Sequence, residues 1–178
     1  MVLEDYGFFD YSASEAGTYE YTSKEYTGAL RYLVGDGMVH NDGSAMAPSA
    51  NGLVVTVETG IGWLAGRYGR NKAAKTFSLD AAGAGLKRID RIVLRADAVA
   101  RTVSLEVKQG TAAATPSAPA LSKTDDLYEI PICSVAVTGG SSATTLTDER
   151  TLLYTPSEAV AKMQAITSGT DYVYAVYA

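Results

Sequence analysis

Arg88-Ile89-Asp90-Arg91-Ile92-Val93-Leu94-Arg95 is the stretch on which the fold turns. β-branched and long apolar residues dominate it, and charges interleave with them, the composition of a pleated strand with a packed core face. After Asp97-Ala98-Val99-Ala100 the pattern resumes from Thr102 to Lys108. There Val103, Leu105 and Val107 face one way and Ser104, Glu106 and Lys108 the other. The two runs read as a hairpin with one face buried and one wet.

Working outward towards the carboxy terminus, Gly110 to Thr124 is rich in Ala, Thr, Ser and Pro and has no period, which predicts an extended surface loop. Leu127 to Thr138 returns as a strand. Pro131 has no N–H to give to a ladder, so it must sit at an edge or a bulge. Gly139 to Ser142 is a turn, and a short strand follows around Thr144 to Leu146. On the amino-terminal side, Leu53, Val55 and Val57 alternate with Val54, Thr56 and Glu58, and Ile61, Trp63 and Ala65 resume after Thr59-Gly60. The short connection predicts a second hairpin.

Two helical patterns flank these strands. Thr22-Ser23-Lys24-Glu25 is a capping box, a hydroxyl and a carboxylate each reaching a backbone N–H at the helix start. It predicts a helix through Leu33 with Tyr26, Leu30 and Leu33 or Val34 on its apolar stripe, ended by Gly35-Asp36-Gly37. Thr155-Pro156-Ser157-Glu158 predicts a second helix, through Ile166, with Ala159, Met163 and Ile166 spaced as in a bundle seam. Residues 171–178 alternate like a last strand. The expected organisation is an aromatic arm and helix over 1–36, a β-rich body over 37–152, and a helix and strand over 153–178 that serve as an oligomerisation tail. The fold class is mainly β, an antiparallel sandwich-like body with an amino-terminal helix and a short carboxy-terminal one.

The chain has 178 residues, 47% of them apolar, enough to bury a core. Its net charge of −5 and the absence of a basic cluster argue against a nucleic-acid surface. No apolar run is long enough to cross a membrane, and the acidic start Met1-Val2-Leu3-Glu4-Asp5 is unlike a secretion signal. Cys133 is the single cysteine and lies in an apolar strand, where a buried inert thiol is expected. Twelve tyrosines against three phenylalanines suit half-wet interfaces and sugar-contacting surfaces as well as strands.

Residues for chemistry are scarce. His40 is the single histidine, with no second imidazole or nearby thiol to build a metal site. Asp42 is its neighbour in sequence only. Asp125, Asp126 and Glu129 sit at a loop-to-strand junction, where solvated acids are common. Asp90 is expected to pair with Arg88 or Arg91, and Gly62 and Gly66 to admit a close backbone. No catalytic, cofactor-binding or metal-ligating residue is assigned, and no enzyme activity is expected.

Three stretches together resemble one family. They are Tyr6-Gly7-Phe8-Phe9-Asp10 with Gly35-Asp36-Gly37-Met38-Val39; Gly60-Ile61-Gly62-Trp63-Leu64-Ala65-Gly66-Arg67-Tyr68; and Arg88 to Arg95 with Tyr128-Glu129-Ile130-Pro131 and Thr147-Asp148-Glu149-Arg150. In that order, over roughly residues 1–152, they are similar to the amino-terminal module of tail-tip, baseplate and receptor-binding proteins from phages and prophages of Gram-positive bacteria. The resemblance implies a virion component made in the host cytoplasm that attaches to other tail proteins. In some relatives it presents a distal host-binding domain as a trimer. Few residues follow Asp148-Glu149-Arg150, so either the host-binding part is another protein or this chain is a fragment or an unusually short member. The leading expectation is a structural and docking module, self-associated with a trimer favoured. The alternative is a carbohydrate-binding module in which exposed tyrosines and Trp63 stack on host cell-wall saccharide. A small hydrolase is the third and weakest reading.

Overall fold

A computed structural model describes residues 23–167. The aromatic arm around Tyr6–Tyr11 and the expected last strand over 171–178 lie outside the described residues. The body is mainly β and sandwich-like, with a helix at each end of the described chain. After helix α1 (Ser23–Leu33) come β1 (Gly37–Val39), β2 (Pro48–Asn51), β3 (Val54–Val57), β4 (Gly60–Leu64), β5 (Arg67–Asn71) and β6 (Lys75–Ser78). Then follow β7 (Lys87–Asp97), β8 (Thr102–Lys108), β9 (Leu127–Thr138), β10 (Thr144–Asp148), β11 (Leu152–Leu153) and helix α2 (Pro156–Thr167). Three sheets result, ordered β11-β1-β4-β5, β10-β9-β7-β8 and β2-β3-β6.

The long strands behave as their patterns predict. β7 pairs with β8 from Arg91↔Lys108 to Asp97↔Thr102, closing the expected hairpin. β9 lies on the other side of β7, and the register slips between Ile92 and Val93, so Ile92 faces Cys133 while Val93 faces Pro131. This bulge is where Pro131 is accommodated. On its other edge β9 pairs with β10 only from Cys133 to Val137, and near its start with the bridge Lys123↔Tyr128. Pro131 therefore falls in the gap between two neighbours, where no donor is demanded of it. Even-numbered residues of β7 face the core, where Ile92, Leu94 and Ala96 join Leu64, Val55, Val57, Ile132 and Val135 in one cluster drawn from all three sheets.

The expected hairpin over 53–65 does not form. β3 and β4 belong to different sheets, and Thr59-Gly60 is a corner between them. The Thr59 carbonyl accepts both Ser44 N and Met46 N, so the corner receives another loop instead of reversing the chain. The reversal comes one element later: β4 pairs with β5 around Ala65-Gly66, both with positive φ (47° and 73°). That is the backbone a two-residue hairpin needs.

The outer face of β7 and β8 is not the wet face the alternation suggests. Val93 on that face is wholly buried. The loop from Gln109 to Asp126 covers it. It begins beside the free edge of β7, bridging Lys87 and Ala113, and ends on the far edge of β9, where Glu129 N donates to Ser122 O. The loop is the extended surface segment its composition predicts, and it lies across the sheet as a roof.

α1 takes Val34 rather than Leu33 as the end of its expected stripe, with Tyr26 at its start 49% exposed. Leu30 and Val34 are half-buried, whereas Leu33 is exposed.

Candidate functional site

Charges on the central sheet hold the fold together. Arg88 and Asp90, on the core face of β7, form a buried pair with Nε–Oδ1 at 2.7 Å. Arg88 also donates to Asp80 O, and Asp90 accepts Gly110 N, so one ion pair ties two loops to the sheet. Arg91 does not join this pair; it meets Glu149 at 2.9 Å and donates to Pro119 O in the roof. Glu129, fully buried, accepts Arg95, Lys108 (2.6 Å) and Ser122 N. Its burial alone would raise the carboxyl's pKa. Lys108, the Ser122 amide and Arg95 outweigh that and hold it below the usual carboxylate range. Lys108 reaches Ala120 O as well. The charges that looked solvated in sequence are pegs for the roof.

Asp148-Glu149-Arg150 works the same way. Asp148 grips the Arg150 guanidinium at 2.7 Å and is itself held below its ordinary pKa, first by that contact. Arg150 Nη1 donates to Ala45 O at 2.8 Å. Ala45 and Met46 are consecutive non-glycine residues in the left-handed region (φ 51° and 55°), a conformation that costs about 1 kcal/mol or more per residue. Arg150 and the Thr59 carbonyl together hold that corner.

A third constellation was hidden in what reads as a helix stop. Asp36 Oδ1 accepts Ala65 N at 2.8 Å, at the strained hairpin turn, while Oδ2 accepts the Tyr128 hydroxyl at 2.6 Å. Arg31 and Lys123 lie over the Tyr128 ring, at 5.1 and 4.1 Å from its centroid. Burial, and then Asp36, raise the Tyr128 pKa. Gly66 is needed here because a Cβ on it would strike the backbone of Thr27 in α1. Gly62 differs: a Cβ there would meet the side chains of Leu94 (2.5 Å) and Met38 (2.9 Å), so it admits packed side chains and no backbone.

The residues considered for chemistry do not converge. Asp125 and Asp126 lie at the exposed turn before β9 while Glu129 is buried among cations, and no group of three metal-ligating side chains occurs among the described residues. Cys133 is buried, and desolvation pushes its thiol up to about 12, far from a nucleophile's range. Asp42 pairs with Arg70 rather than His40. His40 instead stacks on Tyr154 (4.5 Å between centroids) with Nδ1 3.3 Å from Glu158 Oε1. With Ala161 and Lys162 they line an open groove of about 340 Å³ where α2 leaves the body.

α2 is built as its sequence predicts. Thr155 N donates to Glu158 Oε2 at 2.7 Å and Glu158 N to Thr155 Oγ1 at 3.4 Å, the two bonds of a capping box; Thr155 N, and then Oγ1 donating to Oε2 at 2.8 Å, lower the Glu158 pKa. Lys162 adds a bond to the Tyr154 hydroxyl at 3.1 Å. Among the described side chains beyond the first turn, Val160 is 53% and Met163 68% exposed, and Ala159 and Ala161 are exposed too. Ile166 lies outside the described side chains.

On the open face of the β4–β5 hairpin, Trp63 stands opposite Tyr68, ring centroids 5.5 Å apart and planes at 42°. Tyr68 is 61% exposed. Two residues on, Arg70 reaches Asp42 at 3.1 Å. Comparison with protein-family models, curated proteins and solved structures finds no match for this chain.

Proposed function

We propose that the chain is a non-enzymatic structural component of a bacteriophage tail tip or baseplate, assembled as a trimer through α2 and docked to other tail proteins. The observation that carries the self-association is α2. A helix of this length is marginal alone in water. This one meets the body where Glu158 reaches His40 and Lys162 bonds to Tyr154, and its Val160 and Met163 are exposed. The tail-tip assignment is supported by the resemblance of the Arg88–Arg95 strand and the Asp148–Arg150 motif, and by a body whose buried charges serve architecture. Three copies of α2 would bury Ala159, Val160 and Met163 in one seam.

Light scattering coupled to size exclusion tests the assembly. The chain is expected at three times its own mass, and Val160→Ser/Met163→Ser at the mass of one folded copy. A single-copy mass for the unaltered chain across micromolar concentrations overturns it. Immunogold labelling of phage particles tests the location, with gold confined to the tail tip as the expected result.

A further inference from the structure

We propose that the outer face of the β4–β5 hairpin is a binding site for a neutral saccharide, formed by Trp63, Tyr68, Arg70, Asp42 and Ile61. The inference is independent of the tail-tip reading and of α2.

The placement follows from register. Trp63 and Tyr68 are direct cross-strand partners, as are Ile61 and Arg70, and residues two apart on one strand share a face. The core side of the same hairpin is occupied by Gly62, Leu64 and Gly69, packed against Leu94 and Val103. The aromatic side chains therefore stand on the face turned away from the core.

The chemistry of the face favours a sugar. A pyranose ring has an apolar C–H surface, attracted to the electron-rich face of an aromatic ring, and a rim of hydroxyls that both donate and accept. The two rings lie side by side, centroids 5.5 Å apart and planes at 42°, and together offer aromatic surface to such a ring. Beside it, Arg70 and Asp42 are half and nearly one-third exposed, so the pair stays hydrated. Their single described contact leaves guanidinium donors and carboxylate lone pairs for neighbouring hydroxyls. Asp42 also cancels the Arg70 charge. That balance disfavours phosphate or an acidic polymer, which would meet a carboxylate in a chain of net charge −5.

Trp63 is the single tryptophan, so intrinsic fluorescence reads this face directly. The full chain is titrated with tetrasaccharides of a neutral hexose and of an N-acetylated hexosamine. A saturable change in Trp63 emission is expected with at least one of them, with Kd of about 0.1–1 mM. Tyr68→Ala and Arg70→Ala should each weaken it about tenfold or more, and Val99→Ser, an exposed side chain of the β7–β8 turn outside the proposed site, should leave it unchanged. No saturable response to either sugar overturns the proposal, as does a response that both variants retain. Emission that follows protein concentration instead of sugar marks the face as a contact between copies, and overturns it equally.

Discussion

The β7–β9 region and α2 hold charged and apolar groups in opposite ways. Between β7 and β9, Arg88, Asp90 and Glu129 are buried, each satisfied by an ion partner and a loop carbonyl or amide, and Arg95 pairs with Glu129. In α2 the polar capping groups are satisfied locally, while Val160 and Met163 point to water. The first region closes on itself. The second has its first turn capped and exposed apolar side chains at Val160 and Met163, the condition of an element that meets another surface. A buried pair is costly to break because the survivor is left charged in a poor solvent. An exposed helix loses little within the single chain when an outward side chain changes.

Three perturbations would break or sharpen that contrast. The largest effect is expected from Asp90→Ala, which strands Arg88 and the Gly110 amide. Stability should fall by about 3–5 kcal/mol, lowering the melting midpoint by about 10 °C. A drop below about 1 kcal/mol by urea unfolding would mean the pair is not structural.

Acid comes next. The pKa values of Glu129 and Asp148 are depressed in the folded chain, so the stability they contribute is present above the ordinary carboxylate range, about pH 4. It is lost as pH falls through their folded values. Glu129→Gln should be less stable at neutral pH by about 1.5–3 kcal/mol, the scale of hydrogen bonds to a charged group, and show a shallower acid limb. Identical acid limbs for the two proteins would remove Glu129 from the account.

The smallest effect is expected at Thr155→Ala, which deletes half of the α2 capping box. Hydrogen exchange in α2 should quicken about fivefold while β7 and β9 keep their protection. Equal loss in both regions would show that α2 is part of the body's cooperative unit.

Much of the architecture was legible locally. The alternation over Thr102–Lys108 and the apolar run over Leu127–Thr138 coincide with β8 and β9, and the α2 box starts its helix where Thr155 and Glu158 require. Periodicity and capping are short-range properties, settled by sterics and hydrogen bonds within a few residues. The failures were non-local. Thr59-Gly60 looked like a hairpin turn because alternation says where strands are, not which sheet receives them. Gly110 to Thr124 is the extended surface loop its composition predicts, but nothing in that composition reveals that Arg91 and Lys108 hold its carbonyls.

The same division applies to the candidate surfaces. Sequence alone determined a β-rich body between two helices and a buried thiol at Cys133. Only tertiary structure decided that Arg88 takes Asp90 while Arg91 takes Glu149, that Asp36 locks a turn through Tyr128, and that Trp63 and Tyr68 share a face with Arg70 and Asp42. The reason is physical. A side chain's propensity is intrinsic, but its partner is chosen by register and loop path, which follow from how all the strands pack at once.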